Sequence, residues 1–131
     1  MTDDEILAVA DRLFRAIEDG DLGAVEELYD PGIVVWANID PPEGKDRAAS
    51  LKVLAWVVRK LSDRHYDVRR REVIADGFLQ EHVLRGTAPD GTAVAMPACI
   101  VASVADGRIT RIHEYLDPQG VAALSRPAAA S

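Results

Sequence analysis

Cysteine is almost absent from this chain: Cys99 is the only one in 131 residues. An intrachain disulfide is therefore excluded, and a reducing compartment is the natural setting. Long apolar runs are missing as well, none approaching the roughly 20 residues a membrane-crossing helix needs. The opening MTDDE carries neither a basic segment nor an apolar stretch, so no secretory leader is legible and a cytoplasmic location is expected. Basic charge is scarce, with 15 Lys and Arg against 22 Asp and Glu and a net charge of −7. That balance argues against nucleic acid and anionic membranes as partners. Its one concentrated basic run, Arg69-Arg70-Arg71, lies in an alternating stretch and reads as a solvated strand face or a set of ion-pair partners.

Several catalytic signatures are missing too. No glycine-rich phosphate loop is present, and Gly86 and Gly91 read as turn residues. His65, His82 and His113 have no metal-binding spacing, so neither a metal nor a cofactor is expected. Ser50 and Ser103 lack the G-x-S-x-G context of a nucleophile elbow, and Cys99 sits in an apolar run as a small buried thiol would.

What remains describes an ordinary globular domain, 48% hydrophobic and 28% charged. Its length suits one domain, expected over residues 1–124, with the polar and alanine-rich 125–131 as a disordered tail. Thr2 and Glu5 have capping-box spacing ahead of a helical pattern that Gly20 ends. Asp21 caps a short second helix stopped at Asp30-Pro31. Residues 33–38 (IVVWAN) read as a strand, 40–44 as a loop and 46–61 as a third helix. Four further strands follow at 66–75, 78–87, 92–104 and 109–117, joined by Asp76-Gly77, Pro89-Asp90-Gly91 and Asp106-Gly107. They form an antiparallel meander, and Pro97 predicts a bulge or an unpaired position in the third of them. The fold class is α+β, with three helices on one face of a strongly curved antiparallel sheet that encloses an apolar pocket.

The chemistry concentrates in the last strand. Ile112, Glu114 and Leu116 share a face, and a carboxylate between two buried aliphatics must be paired, protonated or used. Alternation in 78–85 turns Phe78, Gln80, His82 and Leu84 inward. In 33–38, parity leaves open whether Trp36 and Asn38 or their neighbours face in. Gln80, His82 and Glu114, with Asn38 and Trp36 as further candidates, could carry out acid–base chemistry on a small molecule. The alternative is a polar cluster that satisfies itself and stabilises the sheet.

The helix pair, the VVWAN strand, the third helix and the ending DGRITRIHEYLD together resemble the nuclear-transport-factor-2-like superfamily. The similarity is to its SnoaL-like and limonene-epoxide-hydrolase-like branch, over about residues 6–124. The resemblance implies a cone of curved antiparallel sheet and three helices around a deep apolar pocket, as a homodimer. In the epoxide-hydrolase branch a water-activating carboxylate stands where Glu114 stands here. That branch also has an Arg-x-Asp motif followed by Val-Leu-Arg, where this chain has Gln80-Glu81-His82 and Val83-Leu84-Arg85. Its Tyr-x-Asn pair corresponds to Trp36-Ala37-Asn38, so Asn38 and Glu114 match while Gln80, His82 and Trp36 depart.

The expectation is a cofactor-independent hydrolase, or an isomerase, cyclase or lyase, acting on a small apolar, oxygen-bearing molecule. Glu114 would be the base and an imidazolium at His82 the acid, with Asn38 and Gln80 positioning. Trp36, Trp56, Met96, Ile112 and Leu116 would shape the substrate site. A non-catalytic binding or interaction domain is the alternative. Under either, a homodimer is expected through an outer sheet face carrying Val73, Val83 and Tyr115.

Overall fold

A computed structural model describes residues 1–128. Of the expected tail, residues 129–131 lie outside the described residues.

The first helix, α1 (Asp3–Asp19), begins at the capping box read from the sequence: Glu5 N–H donates to Thr2 Oγ1 and Thr2 N–H to Glu5 Oε1. Ile6, Val9, Leu13, Phe14 and Ile17 recur along one face and are buried. Gly20 closes the helix at φ 73°, a conformation that favours glycine. α2 (Leu22–Leu28) follows on the Asp21 cap. β1 (Tyr29–Ala37) then starts four residues before the expected boundary, running through Pro31 and Gly32 with irregular register there. α3 (Arg47–Lys60) is capped by Asp46.

Four strands complete the sheet: β2 (Ser62–Ile74), β3 (Gly77–Thr87), β4 (Ala93–Ala105) and β5 (Arg108–Leu116). The meander is as expected, in the order β1-β5-β4-β3-β2. The sheet is open, and one pairing departs from the antiparallel expectation because β1 lies parallel to β5. A fourth helix absent from the sequence reading, α4 (Pro118–Leu124), follows the Asp117 cap with Pro at its start. It buries Ala123 and Leu124 against Leu61, Leu84 and Met96.

Two local readings are sharpened. Ile74 pairs with Gly77, so the β2–β3 loop is Ala75-Asp76 and Gly77 belongs to the strand. A Cβ at Gly77 would stand 1.9 Å from the Ala102 carbonyl oxygen, which explains glycine there. Of the two expectations for Pro97, the unpaired position holds and the bulge does not: it stays in register with Val83 and lies one residue beyond the last β4–β5 pair, Ala98 with Leu116. A proline tolerates that position because no partner strand reaches it on the β5 side. The β4 irregularity falls instead between Ser103 and Val104.

Arg64, at the start of β2, fixes the layers to one another. Its guanidinium donates to the carbonyls of Ile17 and Glu18 at the end of α1 and of Val58 and Leu61 at the end of α3, at 2.7–3.1 Å. These carbonyls lie at helix ends, where N–H partners from a following helical turn run out. The Glu18 carboxylate in return accepts the Tyr66 N–H at 2.8 Å.

Candidate active site

Strand register sets Arg71, Gln80, Ile100, Glu114 and Ala37 side by side in one row across all five strands. Val68, His82, Ala98 and Leu116 form the next row. Gln80 and His82 are buried on the inner face, as parity required. Arg71 joins them because the β2 register shifts between Val68 and Arg70. One extra residue inverts the alternation downstream. Arg70 therefore faces out, paired with Glu72 and Glu81, while Arg71 and Val73 turn in. The solvated-face reading of the arginine run holds for Arg69 and Arg70 and fails for Arg71, just as the outer placement of Val73 fails.

Arg71 Nε donates to Gln80 Oε1 at 2.7 Å, and its guanidinium carbon lies 5.7 Å from the Phe14 ring centroid. Gln80 Nε2 lies 2.9 Å from His82 Nδ1. The imidazole is set edge-on between Tyr66 and Phe14, with centroids at 4.7 and 5.6 Å. Burial, with the Arg71 charge adding to it, pulls the His82 pKa down to about 4. Burial and Arg71 thus favour the neutral ring near pH 7, unlike the imidazolium expected at this position.

Glu114 behaves in the opposite way. Its carboxylate meets no described side-chain donor at hydrogen-bonding distance, and its nearest charges belong to the Asp40–Lys45 ion pair. Burial is the main cause that raises its pKa to about 7; Asp40 adds to the rise and Lys45 opposes it. The residue is only half-buried, so water reaches a carboxyl otherwise walled by protein. Two phenols share this interior. Burial first and Glu114 next hold the Tyr66 hydroxyl well above its ordinary range. Tyr29 is pushed to about 12 by burial, with Ser50 as its polar neighbour.

α3 reaches across the sheet from one edge to the other. It packs on α2 and on the two edge strands, β1 and β2, and so straddles the central strands like a strap. Its apolar residues Leu51, Leu54, Trp56, Val57 and Val58 all stay half-buried, although several touch the cores on either side. Among the described residues no buried side-chain oxygen or nitrogen lacks a hydrogen-bond partner, so the unpartnered Glu114 carboxylate keeps some contact with solvent. Clefts open elsewhere, one of about 460 Å³ beside α1, α2 and the 106–108 turn and one of about 320 Å³ against Trp36, His113 and Tyr115. Neither is lined by Glu114, His82 or Gln80.

A SnoaL-like domain model matches residues 10–112, most of the chain. The chain belongs to the SnoaL-like domain family. No curated protein matches it by sequence. Solved structures share its fold across nearly their whole length. IdmH of Streptomyces antibioticus, a candidate polyketide cyclase, is 24% identical with a TM-score of 0.77 over 92% of this chain and 99% of its own. An LEH-like epoxide hydrolase from M. tuberculosis is 18% identical with a TM-score of 0.74, covering 93% and 90%. AclR of Streptomyces galilaeus, a candidate hydroxylase, is 15% identical with a TM-score of 0.82, covering 96% and 100%. These identities establish the cone-like α+β fold of the superfamily and nothing finer about activity.

Within this SnoaL-like domain the expected site residues divide. Glu114, His82 and Gln80 are together on the inner face, with Ile112 buried beside Glu114 and Leu116 half-buried. Trp56 and Met96 lie in the second apolar cluster, near α4. Trp36 does not join them: it is in register with His113 and stacks edge-on with His113 and Tyr115 on the outer face. Asn38 is also occupied elsewhere. Its amide holds the Leu116 backbone from both sides, at 3.1 and 3.2 Å, prolonging the β1–β5 pairing. Ala37, by contrast, faces in beside Glu114. The sequence reading missed Tyr29, Tyr66, Arg71 and the Asp40–Lys45 pair. Tyr66 alternates in phase with Val68 and was within reach of parity; the others depend on a bulge and a loop.

Proposed function

We propose that this SnoaL-like domain is an isomerase- or cyclase-type enzyme that moves a proton on a small apolar carbonyl compound. Glu114 is the base. The observation that carries this reading is a water-accessible carboxylate with no protein hydrogen bond and a pKa raised to about 7. A base so poised combines a substantial ionised fraction at neutral pH with good proton affinity. In the reaction Glu114 takes a proton from the carbon next to the carbonyl, and the C–H electron pair moves into the C=O as an enolate. The Tyr66 hydroxyl and the neutral His82 ring stabilise that oxygen as hydrogen-bond donors. A conjugated enolate then takes the proton back from the Glu114 acid at its far carbon, or the α carbon attacks a second carbonyl and the alkoxide so formed takes that proton from Glu114.

Epoxide opening is less well supported. It calls for an acid toward the epoxide oxygen, and His82 is neutral while Asp40 is ion-paired to Lys45. Incubation in D₂O with a panel of apolar ketones, followed by mass spectrometry, tests the choice. Deuterium uptake next to the carbonyl is expected. Incorporation of ¹⁸O from labelled water into an epoxide panel, with no deuterium uptake by ketones, would replace this reading with hydrolysis.

A further inference from the structure

The buried chain from Arg71 through Gln80 to His82 has a direction that its chemistry dictates. A guanidinium can only donate. The atom that accepts from Arg71 Nε at 2.7 Å is therefore the Gln80 carbonyl oxygen, and the Gln80 amide nitrogen is left pointing at His82 Nδ1, 2.9 Å away. An amide nitrogen also only donates, so Nδ1 is the acceptor and the ring proton resides on Nε2. Among the described residues Nε2 meets no protein partner, and none of their buried side-chain polar atoms lacks one. Nε2 is thus reached by solvent, although the residue is only 3% exposed. Tyr66 and Phe14 both lie edge-on against the ring.

The head of the chain is anchored outside the sheet. Arg71 stacks over Phe14 of α1 and lies 3.7 Å from the Asp11 carboxylate on the same helix. α1 therefore holds the guanidinium, the guanidinium fixes the amide, and the amide selects the tautomer.

We infer that Arg71 and Gln80 are positioning residues that keep His82 as a fixed Nε2–H donor toward the substrate oxygen. The use made of that donor rests on the proton-transfer reading above, whereas the tautomer does not. Neither residue touches the reacting atoms. Both act through His82, as partners behind a ligand or catalytic imidazole commonly do.

Long-range ¹H–¹⁵N NMR on protein carrying ¹⁵N-labelled histidine tests this, with the His82 signals assigned from a His82→Gln variant. The expected spectrum shows a protonated Nε2 and a bare Nδ1, unchanged between pH 5.5 and 8. Gln80→Glu places a carboxylate between Arg71 and the ring, so its ring should gain an Nδ1 proton. Arg71→Met frees the amide to flip, so its ring should show both tautomers. A wild-type Nδ1–H tautomer, or a ring indifferent to both substitutions, would overturn the inference. If a variant does not fold, the wild-type tautomer alone decides. With a turned-over ketone in hand, Arg71→Met should lower kcat on the order of a hundredfold with KM nearly unchanged, the loss typical of a misdirected oxyanion donor. A correct tautomer with no catalysis would sink the proton-transfer reading and leave this inference standing.

Discussion

Glu114 and His82 pull the pH dependence of stability in opposite directions. The folded-state pKa of Glu114 is raised, so its cost appears as pH climbs from the unfolded value near 4.5 to about 7, and acid relieves it. The folded-state pKa of His82 is depressed from 6.5 to about 4, so its contribution is present above 6.5 and is lost as pH falls toward 4. Each effect is on the order of 3 kcal/mol at full extent, and between about pH 4.5 and 6.5 they nearly offset. Wild-type stability from these two groups should be almost flat there. Glu114→Gln should remove one side: the variant melts higher than wild type at pH 8 and loses stability steeply on acidification below 6.5. Urea denaturation at a series of pH values checks both halves. At this scale the sequence was informative about identity and poor about state. Glu114 stood out as a carboxylate between Ile112 and Leu116, and His82 was placed inward by alternation. Their charges depend on depth and on Arg71, Asp40 and Lys45, which no local pattern reports.

Elements show where alternation ceases to be a guide. β3 has no irregularity in its pairing with β4, and its inward set was legible residue by residue. β2 carries a bulge near Arg69 that inverts everything after it, so Arg71 and Val73 were assigned to the wrong face. β1 is parallel to β5 and its inward set, with Ala37 beside Glu114, follows from that pairing rather than from its own composition. Helix ends were easier, because Thr2, Asp21 and Asp46 are side chains that cap whatever the tertiary context. Arg64 was invisible as a helix clamp, since its four carbonyl partners come from two helices distant in sequence. Arg64→Ala should cost on the order of 3 kcal/mol, because charged donors are lost from carbonyls that are partly shielded from water. Gly77→Ala forces β3 and β4 apart at the Ala102 carbonyl and should cost on the order of 2 kcal/mol or more. Chemical denaturation of the two variants at one pH measures both, and an Arg64→Ala loss below half a kcal/mol would contradict the clamp.

The whole molecule was the most legible scale. Asp-Gly and Pro-Asp-Gly signals at even spacing announced the meander, and the helix pair before it announced the α+β layering. What they did not announce is α4, a helix of about two turns started by Asp117-Pro118, and the parallel return of β1. No helix among the described residues is long and apolar enough to cross a membrane. The outer sheet face presents Val34 and Tyr115, both more than 40% exposed, beside Trp36, and a surface of this kind favours association. We propose a symmetric dimer through that face, without Val73. Light scattering should give twice the chain mass at micromolar concentration, and Tyr115→Glu should shift it to the monomer; a wild-type monomer would refute the proposal. The base assignment meets its most direct test in deuterium uptake by an apolar ketone, measured side by side in wild type and Glu114→Gln, with thermal melts of both. The expected result is uptake that rises with pH around a midpoint near 7 in wild type and is abolished in a fully folded Glu114→Gln. Equal uptake by the two proteins would contradict it.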